Sequence, residues 1–211
     1  IYAHLPQKYN LKLLKKIAFA RKISKIDIPR DDYISLLGKV KDKTNKNYIV
    51  DSSKTLSNLL KLNNSEQINL KVIHLIRDVK GVGNSYNKLP HYNFYTAVFW
   101  WVLSNIMYKK ILKKTGLDIL TVNYDSFAQD PDFYLEEIGK WLKLDYSDYI
   151  NDVNSTEYHQ IAGNNMRFEK FNGVVYDNKW KRELPWGKKL ITRILSVIFS
   201  KLNYMEKKKK K

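Results

Sequence analysis

The chain contains no cysteine. That absence excludes a disulfide framework and any zinc site built on thiolates. Arginine is nearly as scarce, since six of the 38 basic residues are Arg and the rest are Lys. Arg is the side chain suited to bidentate phosphate contacts, so each of the six bears on function more than any single Lys. Glycine is sparse too, eight in all with the first at Gly38. Nothing before Tyr48 therefore reads as a strand, a Gly-rich turn and a helix in succession. No apolar run approaches the roughly 20 residues of a membrane span. The longest, residues 97–103 with Ile106 and Met107, is closed by Lys109 and Lys110, so no transmembrane segment is expected. The chain opens on Ile1 without a basic-then-apolar leader, and the expected location is cytoplasmic.

What is present is enough for one domain. Hydrophobic residues make up 44% of 211 positions, which predicts a single core-forming domain over residues 1–206 followed by a Lys tail at 207–211. A net charge of +17 points to an anionic partner. The tail carries five of those charges, leaving about +12, and the excess of Lys over Arg is as much a compositional bias as a surface.

Hydrophobic spacing places amphipathic helices over 11–25 and about 31–39. Beyond them strands and helices alternate three times. The run 48–50 reads as a short strand ending in Asp51-Ser52-Ser53-Lys54 and followed by a helix through Leu56, Leu59, Leu60 and Leu62. Residues 70–76 read as a buried strand stopped by Arg77-Asp78, then a helix over 79–86. A long helix over 91–115 is expected to bury Phe94, Tyr95, Phe99, Trp100 and Trp101 and to end at Gly116. A third strand at 117–123 precedes a helix over 130–142, capped by Asp130 with Pro131 at its first position. This order predicts an α/β fold, a parallel sheet with helices on both faces and ligands at the C-terminal strand ends.

Two strand ends carry groups suited to an anion. At the first, Ser52, Ser53 and Lys54 meet the free N–H groups of a following helix. At the second, Arg77 and Ser85 lie about two helical turns apart and can grip two sides of one phosphate. The structural alternative is an ion pair of Arg77 with Asp78 or a surface acid, and a plain helix-face role for Ser85. His74, flanked by apolar neighbours inside a strand, reads as a core histidine. His159 lies in a loop and is a weaker candidate.

Four blocks in order, Tyr48 to Lys54, Lys71 to Asp78 with Ser85, Leu120 to Asp125 with Asp130-Pro131, and His159 to Phe168 with its Gly-Asn-Asn-Met-Arg run, resemble the sulfotransferases that use 3′-phosphoadenylyl sulfate, most nearly the bacterial-type branch. The resemblance covers about residues 47–182. It implies a fold similar to that of P-loop nucleotide-binding enzymes, with Arg77 and Ser85 on the 3′-phosphate, Tyr124 near the adenine, and Arg167 with Asn164 closing over the phosphate from the C-terminal segment. For Tyr124 and Asn164 a packing or loop role is an equal alternative. The pair Tyr124-Asp125 departs from the family's Tyr-Glu. Lys54, 23 residues before Arg77, stands where cytosolic members keep a catalytic His, and is assigned to stabilising charge on the moving sulfuryl group. No metal is implied. The acceptor is a small molecule, carbohydrate or lipid bearing a hydroxyl or amine, and no specific nucleic acid is expected. The family's 5′-phosphosulfate loop is not found, so the first strand and loop are expected upstream of Ile1, and the chain is read as N-terminally truncated and either active or inactive as it stands. The alternative is a non-catalytic nucleotide- or polyanion-binding remnant.

Overall fold

A computed structural model describes residues 33–52, 56–65, 68–89, 93–144 and 174–201. The elements are α1 (Tyr33–Thr44), α2 (Leu56–Asn63), β1 (Lys71–Ile76), α3 (Val79–Asn87), α4 (Phe94–Thr115), β2 (Asp118–Asn123), α5 (Tyr124–Gln129), α6 (Pro131–Leu142), α7 (Trp180–Glu183) and α8 (Trp186–Lys201). The fold is α/β, with β1 and β2 paired in a two-stranded parallel sheet and helices making up most of the rest. Because the strands run the same way, both C-terminal ends reach one edge of the sheet, and α3 and α5 start from that edge.

Most elements arise where local chemistry dictates. Asp78 caps α3 by accepting a hydrogen bond from Lys80 N–H at 2.8 Å. Asn123 caps α5 through Ser126 N–H at 2.8 Å. Asp130 caps α6 with Pro131 in the first turn, as the sequence predicts. Gly116, at φ +69°, takes the left-handed conformation that ends α4.

Two expectations are corrected. Residues 48–50 form no strand and lie exposed, Val50 at 89%; β-branched side chains favour a strand only where a neighbour supplies ladder hydrogen bonds. Of the five aromatics expected on the buried side of α4, Phe94 and Trp101 are buried whereas Tyr95 and Phe99 are exposed. At about 100° per residue these five positions spread around the whole helix, so one face cannot hold them all. The helix expected over 11–25 lies outside the described residues.

The described residues fall into two compact units. The first, drawn from 73–99 and 120–201, buries Ile76, Val79, Val82, Tyr86, Phe94, Val98, Val122, Leu184 and Phe199. The second, drawn from 33–72 and 100–119, buries Leu56, Leu60, Leu62, Trp101, Met107 and Ile111, and pairs Lys71 with Asp118 at 3.2 Å.

β1 carries a partly buried histidine, His74. Burial lowers the pKa of His74 from 6.5 to about 4. The folded chain therefore keeps His74 neutral between those values, while the unfolded chain takes up a proton. More protons bind to the unfolded state, so stability falls as pH drops from 6.5 towards 4, with roughly 3 kcal/mol lost across the window. The denaturant midpoint is expected to fall over this range, and His74→Leu is expected to flatten that part of the profile. An unchanged slope in the variant contradicts the assignment.

Candidate anion-binding site

The first unit places Arg77 where β1 gives way to α3. Its side chain is 14% exposed and runs along the first turns of α3 over Gly81. A Cβ at Gly81 would stand 2.8 Å from Arg77 Nε, so the absence of a side chain there is what lets the guanidinium lie against the helix. Further along α3, Ser85 Oγ donates to the Gly81 carbonyl at 3.0 Å, which leaves its lone pairs to accept from Arg77 Nη1 at 3.5 Å. The eight-residue spacing thus brings the two groups together on one helix face. The Tyr124 ring, at the start of α5, faces the guanidinium with its centroid 5.5 Å from Arg77 Cζ.

Acids fix the rest of the edge. The pairing of Arg77 with Asp78, open from sequence, is not the one formed. Asp78 turns instead to the cap of α3, to Ser196 Oγ, which donates to its Oδ2 at 2.6 Å, and to Lys80 Nζ at 3.4 Å. Asp125 accepts the Asp78 backbone N–H at 2.6 Å and ties the two strand ends together. Burial raises its pKa and the nearby Asp78 carboxylate adds to the rise, while the Asp78 N–H, Arg77 and Lys80 oppose it. Among the described residues an acid that meets Arg77 is Asp177, whose Oδ2 lies 3.0 Å from Nη2. Its other oxygen accepts Lys179 N–H at 3.0 Å, just before α7. Beside it, Lys80 Nζ stands 4.8 Å from the centroid of the Trp180 ring.

The structure therefore joins three of the six sequence-derived residues, Arg77, Ser85 and Tyr124. Lys54, Asn164 and Arg167, and with them His159, lie outside the described residues. Sequence reasoning misses Asp177 and Gly81. Gly81 is legible after the fact as a glycine one helical turn beyond the arginine it accommodates. Asp177 carries no local signal, since it comes from 100 residues away.

Chemically, the Arg77 guanidinium presents a fork of N–H donors, with the Ser85 hydroxyl at one tine, the Asp177 carboxylate at the other and the Tyr124 ring nearby. A tetrahedral oxyanion satisfies the same donors. Among the described residues no cluster of three or more His, Asp or Glu is placed to hold a metal, and no helix is long and apolar enough to cross a membrane. Comparison with known proteins gives no match, whether to family models, to curated proteins or to solved structures.

Proposed function

We propose that the chain is a sulfotransferase domain that takes 3′-phosphoadenylyl sulfate as donor and holds its 3′-phosphate between Arg77 and Ser85. The observation that carries this reading is the Arg77 guanidinium laid over Gly81, 3.5 Å from Ser85 Oγ and beside the Tyr124 ring. In the reaction an acceptor oxygen or nitrogen forms a bond to sulfur. The bond from sulfur to the bridging oxygen of the 5′-phosphosulfate breaks, and adenosine 3′,5′-bisphosphate leaves with that electron pair. The acceptor proton passes to solvent or to a basic group. As in phosphoryl transfer, alignment and fixed positive charge supply most of the acceleration. Lys54 is the residue assigned to charge on the moving group, and Arg167 with Asn164 are assigned to closure over the 3′-phosphate. The acceptor is a hydroxyl- or amine-bearing small molecule, carbohydrate or lipid, and the cytoplasm is the proposed location.

Calorimetric titration of the chain with adenosine 3′,5′-bisphosphate, against adenosine 5′-monophosphate as the control lacking the 3′-phosphate, tests the reading. Preferential binding of the bisphosphate is expected. Equal binding of the two, or no binding of either, overturns it.

Asp177 gives this site a competitor of its own, because a phosphate reaching Arg77 must displace the carboxylate. Asp177→Asn keeps the size and the capacity to accept from Lys179 N–H while removing the charge. The partly exposed pair is worth on the order of 1 kcal/mol, so the variant is expected to bind the bisphosphate roughly three- to tenfold more tightly. Weaker binding in Asp177→Asn would show instead that the acid positions Arg77 for its ligand.

A further inference from the structure

α8 is held on one side by polar and apolar anchors. Thr192 and Phe199 are buried, Ser196 donates to Asp78, and Lys188 Nζ reaches Asn87 Oδ1 at 2.6 Å while standing over the Phe94 ring. These residues define the inward side of the helix. The opposite side of a helix on a water-facing surface carries polar residues. Here it carries Trp186, Leu190, Ile194, Val197 and Ile198, which at about 100° per residue fall within one arc of roughly 120°. Their exposures are 78%, 44%, 51%, 49% and 45%. Isolated exposed apolar residues need no explanation, but five in one stripe opposite the anchored side do.

The charge on the helix selects what covers the stripe. Residues 186–201 contain Lys188, Lys189, Arg193 and Lys201 and no acidic residue, and five further Lys follow in sequence at 207–211. Arg193 and Lys201 border or interrupt the stripe itself. A second copy of the chain laid face to face would set these cations against their own kind. Nucleic acid would answer the charge but offers no apolar surface to the Ile and Val side chains. A bilayer interface with anionic headgroups answers both, with Trp186 of a type that settles at the headgroup level.

We propose that the outward face of α8, Trp186, Leu190, Ile194, Val197 and Ile198 with Arg193 and Lys201, docks the protein on an anionic lipid surface. The helix lies in the plane of the interface rather than crossing it. This inference is independent of the nucleotide reading above.

The test is co-sedimentation of the full chain with vesicles of phosphatidylserine in phosphatidylcholine and with vesicles of phosphatidylcholine alone. Binding to the first and little to the second is expected. The exposed double variant Ile194→Ser/Val197→Ser is expected to weaken binding about tenfold or more, and Arg193→Gln about fivefold, each with an unchanged thermal midpoint. Three results overturn the proposal. One is no binding to anionic vesicles. Another is binding that survives Ile194→Ser/Val197→Ser yet disappears on deletion of residues 207–211, which assigns it to the Lys tail alone. The third is a chain whose size-exclusion profile shows an oligomer that the same double variant dissociates, which makes the stripe an interface between copies.

Discussion

Arg77→Ala is expected to lower the affinity for adenosine 3′,5′-bisphosphate by about a hundredfold or more. Hydrogen bonds to a charged group contribute about 1.5–3 kcal/mol each, and the guanidinium offers two such donors to one phosphate in a fixed fork. Loss of both therefore exceeds the tenfold or smaller loss expected from Ser85→Ala, whose hydroxyl must turn from the Gly81 carbonyl to donate to the phosphate. Asp177, left without the guanidinium, has a side chain 37% open to solvent and can be hydrated. Arg77→Lys separates charge from geometry: it keeps the cation but not the fork, and is expected to fall between the wild type and Arg77→Ala. Calorimetry on the three variants reads the series directly. An affinity for Arg77→Ala within twofold of the wild type removes Arg77 from the site.

Trp101→Ala is expected to destabilise the chain by about 3–5 kcal/mol, a large share of the stability of an ordinary domain. Trp101 is among the largest side chains that are fully buried, at 2% exposed, and its removal leaves a cavity that rigid neighbours fill only in part. Phe99, two residues earlier on the same helix, is 60% exposed, and Phe99→Ala is expected to cost less than about 1 kcal/mol. Urea unfolding followed by circular dichroism compares the two. Similar losses would mean that the packing of α4 is not what its exposure pattern says.

That contrast shows where sequence reading reaches its end. Richness in aromatics marks α4 as a core helix, but which aromatics face inward follows from the angle between positions, and Tyr95 and Phe99 lie on the wrong side of Phe94 and Trp101. Features set by neighbours in the chain are legible, among them the Asp130 cap with Pro131, the Gly116 stop, and the two-turn interval from Arg77 to Ser85. Features set by distant residues are not. β-propensity marks 48–50, yet these residues take no strand conformation. Asp177 leaves no trace near Arg77. α8 is opaque for another reason: its apolar residues fall on both the anchored and the outward sides, so no single stripe stands out against a polar face.

Four polar contacts of α3 and of the Arg77-Asp78 corner before it reach far along the chain. Arg77 with Asp177, Asn84 with Glu183, Asn87 with Lys188 and Asp78 with Ser196 span 100, 99, 101 and 118 residues respectively. Contacts of such separation carry a loop-closure cost that contacts between neighbours in the chain do not. On the ribosome, β1 and α3 emerge long before α7 and α8 are made, and during that interval Arg77 and Asp78 have neither of these partners. The Arg77–Asp177 contact of the candidate site can therefore form only after residue 177 has been made, and the Asp78–Ser196 contact only after residue 196.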